Sequence, residues 1–118
     1  MKFSELEIII TSSGRRSIAS MLVAYLLDAI DNGTNGIDLD YFQSETGYIR
    51  TNITHVANYL KGQGIILIYY YRDNVDISNR EYIEDNIFGR WAKQHYKLTS
   101  DVLNLYKRNT DYISHAKL

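Results

Sequence analysis

Apolar residues recur along this chain with two periods, and the switch between them predicts its elements. From Ser17 to Asn32, the residues Ile18, Met21, Leu22, Tyr25, Leu26, Ala29 and Ile30 follow helical spacing, one continuous stripe on one face. Ser13 or Ser17 can cap its start and Asn32-Gly33 stops it. A second helical signal lies between Leu39 and Ile66. It reads as a short helix carrying Phe42, a tight turn at Gly47, and a longer helix with Ile53, Val56, Ala57 and Leu60 on one side. After Gly64 the pattern changes. Ile65 to Arg72, IILIYYYR, is β-branched and aromatic and predicts a strand. Ile66, Ile68 and Tyr70 share one face and Ile65, Leu67, Tyr69 and Tyr71 the other. With both faces apolar, both are covered or one meets a partner. A returning strand is expected over Trp91 to Leu98, then a last helix from Ser100 to about His115, capped by Thr99 and carrying Val102, Leu105, Tyr106, Tyr112 and Ile113.

Three stretches are less regular. Lys2 to Thr11 allows a short helical or extended arm. Asn32 to Asp38, NGTNGID, is a loop of turn formers. It predicts a short strand at Ile37 and a helix cap at Asp38. A calcium loop there fails in either register, because the third ligand position falls on Gly33 or Ile30. Between Asp73 and Arg90, Asp73-Asn74 and Ser78-Asn79 signal turns, while Ile83, Ile87 and Trp91 step by four. That spacing predicts an inserted helix over Asn79 to Trp91.

On the longer helix, Thr51, His55 and Asn58 fall opposite the apolar stripe, and none is acidic. Two short helices crossing at a Gly turn, the second presenting a polar face, form a helix-turn-helix pattern. In Phe42, Gly47, Tyr48, Ile53 and Val56 the stretch resembles the helix-turn-helix of winged-helix DNA-binding proteins. Leu60, Gly64 and Ile65-Ile66 are similar to the end of that family's recognition helix and the start of its wing. His95-Tyr96-Lys97-Leu98-Thr99 resembles the segment that closes the wing. The resemblance spans roughly 17–108. Gln43 stands where a small residue is usual, Leu103 where a Gly is usual, and the segment between the wing strands is long.

Composition adjusts this picture. The chain has 118 residues, 45% apolar, enough for one domain with a real core. Its net charge of −1 is not that of a polycation, although Arg15, Arg16, Arg50 and Lys61 lie between 14 and 61 while acids concentrate at 28–45 and 73–85. No Cys is present, which excludes disulfides, thiol nucleophiles and Cys-ligated zinc. There is no Pro-rich linker, no apolar run of membrane-spanning length, and no basic segment followed by an apolar run at the start. The 11 Tyr residues suit a small core boundary or an interface equally. His55, His95 and His115 stand in no zinc spacing, Asp38/Asp40 and Glu84/Asp85 form no paired acid and base, and Ser12-Ser13-Gly14-Arg15-Arg16 lacks the Gly-x-x-x-x-Gly-Lys pattern of a phosphate loop.

The expectation is an α+β chain with one winged-helix domain over 1–118: an N-terminal arm at 1–16, a three-helix helix-turn-helix core with a β-hairpin wing and long insertion at 17–98, and a C-terminal helix at 99–118. The resemblance implies sequence-selective binding of double-stranded DNA as a small transcriptional regulator, and the absence of Cys fits a cytoplasmic location. Thr51, His55 and Asn58, with Thr54 beside them, would meet the bases, and Arg50 and Lys61 the phosphates. A homodimer paired through the last helix would set two recognition helices about 34 Å apart. No cofactor, metal, membrane contact or catalysis is expected. The alternative is a protein-binding winged helix whose contact is the Tyr-rich strand or the acidic 73–85 segment.

Overall fold

The computed structural model describes residues 1–72 and 76–107. The elements are α1 (Phe3–Thr11), α2 (Arg16–Asp31), β1 (Ile37–Asp38), α3 (Leu39–Thr46), α4 (Arg50–Gly62), β2 (Ile66–Tyr71) and β3 (Lys93–Leu98). A last helix, α5, is described over 100–107. The chain is thus α+β: helices packed with a three-stranded antiparallel sheet in the order β1-β3-β2. The expected positions Tyr112, Ile113 and His115, the turn at Asp73-Asn74, and Arg108 lie outside the described residues.

One core serves all the elements. Leu22, Leu26, Leu39, Phe42, Ile53, Val56, Leu60, Ile65, Tyr96 and Val102 are all buried in a single cluster. Each such side chain contributes roughly 1.5–3 kcal/mol of transfer free energy. The stripe on α4 is buried as its spacing requires. That on α2 is rotated. Ile18, Ala19, Leu22, Val23, Leu26 and Ala29 are buried, whereas Met21 is exposed. The reason is position: α1, α4 and β3 all pack on α2, so its covered side is broader than one amphipathic stripe. The arm is helical, and α1 buries Leu6 and Ile10. The Tyr59 hydroxyl of α4 donates to the Ile9 carbonyl at 2.9 Å and ties that helix down.

Gly36 sets the closeness of β1 to β3. Its φ is +101°, and a Cβ there would collide with the Tyr96 carbonyl oxygen and the His95 ring. β2 pairs with β3 from Ile66↔Leu98 to Tyr71↔Lys93. Ile66 and Ile68 face the core, while Leu67 and Tyr69 on the other face are half-buried.

The inserted helix over Asn79 to Trp91 does not form. Two short 3₁₀ turns, Ile77–Asn79 and Gly89–Trp91, bracket extended chain. Ile83 forms an isolated bridge with Tyr70, exchanging both backbone hydrogen bonds at 2.7 and 3.0 Å. Ile87 and Trp91 are solvent-exposed. Their four-residue spacing is therefore not a helix face. Ile83 is held by strand pairing, and the other two face water. Three caps also differ from expectation. Asp38 occupies the N-cap position of α3, but its side chain turns to His95 and Arg80 instead of the helix. The Thr99 hydroxyl donates to the Gly64 carbonyl at 2.7 Å, stitching the start of β2 to the start of α5. At α2, neither Ser13 nor Ser17 is the cap residue. Arg15 stands there, and its backbone N–H donates to the Ser13 hydroxyl at 3.2 Å.

Candidate nucleic-acid interface

The geometry of α4 begins at the turn before it. Gly47 adopts φ +75°, and its N–H donates to the Gln43 carbonyl at 2.8 Å, closing α3 in the left-handed conformation that glycine favours. Gln43 spans the same turn, its side-chain amide reaching the Tyr48 carbonyl at 3.4 Å. A long polar residue is accommodated there by bonding to the turn. Phe42 lies between the rings of Tyr25 and Tyr48, at 5.3 and 5.9 Å. It locks α3, α2 and the turn together.

With Ile53, Val56, Ala57 and Leu60 fully buried beneath it, α4 has one outward side. Thr51, His55, Asn58 and Lys61 lie on it and are exposed. Thr54 is half-buried, its hydroxyl donating to the Thr51 carbonyl at 3.0 Å. Among the described residues, the side chains of Thr51, His55, Asn58 and Lys61 have no hydrogen-bond partner. The face thus carries unspent donors and acceptors.

Arg50 is different. Its guanidinium donates to Asp40 Oδ1 at 2.7 Å, and Lys93 Nζ reaches Asp40 Oδ2 at 2.8 Å. The Asp40 carboxyl is held below its usual value first by the hydrogen bond from Lys93, then by that from Arg50 and by both charges, which together outweigh the opposing effect of burial. Arg16 is likewise paired with Glu7 at 2.6 Å. Two of the four cations between 14 and 61, Arg16 and Arg50, are thus each paired with a carboxylate.

A second polar assembly lies away from α4. Asp38 accepts from His95 Nδ1 at 2.6 Å and from Arg80 Nη1 at 3.4 Å, and the Tyr71 hydroxyl also bonds to it. The Arg80 guanidinium lies 4.0 Å from the Tyr71 ring centroid and donates to the Tyr82 hydroxyl at 3.3 Å. The Tyr82 ring lies 4.5 Å from that of His95. Burial alone would raise the Asp38 carboxyl, but the bonds from His95 and Tyr71 and the charges of His95 and Arg80 outweigh it and hold it low. Burial and the neighbouring Asp38 push the Tyr71 hydroxyl up. His95 Nε2 faces the Asn35 carbonyl at 3.3 Å, so both ring nitrogens meet acceptors. A cleft of about 830 Å³ opens beside this group, between the end of α2, the 32–36 loop, α3 and the 77–82 segment.

This assembly escaped the sequence because its members are 33 to 57 positions from Asp38. The pairing of Asp40 with Lys93 was missed for the same reason, and that with Arg50 because the two stand on different helices. Only the alternation Lys93, His95, Lys97 hinted that these side chains share a strand face. Among the described residues, no group of three or more His, Asp or Glu is placed to hold a metal ion, and no helix is long and apolar enough to cross a membrane. No family model, curated protein or solved structure matches this chain.

Proposed function

We propose that this chain is a winged-helix domain that binds double-stranded DNA sequence-selectively through α4, as a small transcriptional regulator. The observation that carries the reading is the division of α4. Its inner stripe is fully buried, while Thr51, His55, Asn58 and Lys61 stand exposed and unpartnered among the described residues. A helix of this length fits the major groove, where Asn and His side chains engage base edges and Lys meets phosphate. The element order from α2 to α5 and the sheet order β1-β3-β2 support the winged-helix assignment. In this reading β2 and β3 form the wing, and the chain works as a homodimer.

The test is fluorescence anisotropy of the full chain on random and genomic duplex DNA at two salt concentrations. Micromolar or tighter binding that weakens steeply with salt is expected, since each phosphate contact adds about −0.9 to the log–log slope. A second reading, a protein-binding module, is favoured by the exposed Ile77, Ile87 and Trp91 on the inserted segment. Absence of binding at roughly 50 mM salt would transfer the assignment to it.

A further inference from the structure

Asp40 is shared by two cations from different elements. Its two carboxylate oxygens are each taken by a different cation: Oδ1 by Arg50 at the start of α4, Oδ2 by Lys93 at the start of β3. The three side chains are 43%, 44% and 29% exposed for Arg50, Asp40 and Lys93, so solvent and ligands reach the group. α4 begins without a side-chain cap and without an acid in its first turn, so its positive end adds to Arg50. A carboxylate and a phosphodiester both present two oxygens to a pair of donors.

Resting on the DNA-binding reading above, we infer that Arg50 and Lys93 form a phosphate clamp joining the recognition helix to the wing, and that Asp40 occupies this clamp in the free protein as an internal competitor. DNA binding then exchanges one anion for another. The exchange lowers affinity for every sequence by about the same factor. It leaves discrimination to Thr51, His55 and Asn58, because backbone contacts position the protein and base contacts specify. It also explains how a chain with net charge −1 can keep its cations available without attracting every anion.

The experiment is anisotropy titration of one mixed-sequence duplex by the wild-type chain and by Asp40→Asn, Glu45→Gln, Asp40→Asn/Lys93→Gln and Asp40→Asn/Arg50→Gln, over a salt series. Glu45 lies on the same helix and bonds the Tyr41 hydroxyl at 3.3 Å, not a cation. It controls for general charge repulsion. Asp40→Asn is expected to bind on the order of threefold to tenfold tighter, with a slope steeper by about one. Both double variants should lose the gain, and Glu45→Gln should stay near wild type. Equal affinity of Asp40→Asn and wild type would overturn the clamp while leaving the DNA reading intact. So would a gain that Glu45→Gln reproduces or that survives loss of Arg50 or Lys93. No binding by any variant removes the DNA reading and the clamp with it. Circular dichroism checks folding. Should Asp40→Asn not fold, Lys93→Gln alone decides: a several-fold loss with a shallower salt slope supports the clamp, and unchanged binding overturns it.

Discussion

The outer face of α4 and the Asp38 assembly are both polar, yet they are built in opposite ways. Around Asp38 the donors of His95, Arg80 and Tyr71 converge on one carboxylate. The interactions are internal, and they pin the 77–82 segment against the sheet. On α4, Thr51, His55, Asn58 and Lys61 have no side-chain hydrogen-bond partner among the described residues. Polar groups that satisfy one another hold a fold together, because leaving one unpaired costs about 1–3 kcal/mol. Polar groups satisfied only by water cost the fold nothing and can be given to a ligand. Between these extremes lies Asp40, paired with Arg50 and Lys93 but open to solvent.

The sharpest way to break this contrast is to remove Asp38. Asp38→Ala leaves His95, Arg80 and Tyr71 without their shared acceptor and should cost about 2–4 kcal/mol in urea unfolding. A loss under roughly 0.5 kcal/mol, the range of an ordinary surface change, would show that the assembly is not structural. Gly36→Ala should be similarly damaging, about 2–4 kcal/mol, since it combines a positive φ with a collision against β3. Replacing Thr51, His55 and Asn58 together by Ala should do the reverse. Stability should stay within about 0.5 kcal/mol per site, while affinity for a selected duplex falls tenfold or more, about 1.4 kcal/mol.

These contrasts mark what the sequence could carry. The buried stripe of α4 was legible because Ile53, Val56, Ala57 and Leu60 repeat within a single helix, where period alone decides the face. The exposure of Thr51, His55 and Asn58 followed from the same geometry. α2 was legible as a helix but not in its rotation, because which neighbours cover it is a tertiary fact. The helix expected over Asn79 to Trp91 fails for a related reason. Ile83, Ile87 and Trp91 mimic a helix face, but Ile83 pairs across to Tyr70, and no local pattern encodes that bridge. Asp38 reads as a helix cap, and with Asp40 it forms no paired acid and base. Their partners sit on β3, more than 50 positions away, and on Arg80 and Arg50.

A smaller effect separates the two regions by pH. The folded Asp38 carboxyl lies below its ordinary 3.8. A depressed carboxyl adds stability that is fully present above the unfolded value and lost as pH falls through the folded one. Unfolding midpoints should therefore drop below about pH 4, and Asp38→Asn should flatten that limb. An identical acid limb in Asp38→Asn would show that the pairing does not stabilise the fold. The smallest effect belongs to the inserted segment. Trp91 is 78% exposed and is the only Trp in the chain. Its fluorescence should be solvent-like and readily quenched by acrylamide, and Trp91→Ala should change stability by no more than about 0.5 kcal/mol. A blue-shifted, protected Trp91 would place this segment in an interface and favour the protein-binding reading.

The most direct test of the assignment of α4 is amide chemical-shift mapping of the uniformly labelled chain as duplex DNA is added. Shifts should concentrate at Arg50, Thr51, Thr54, His55, Asn58 and Lys61, with a second set at Lys93, and leave Asp38, Tyr71 and Tyr82 unmoved. Shifts centred on 77–91, with α4 silent, would contradict it.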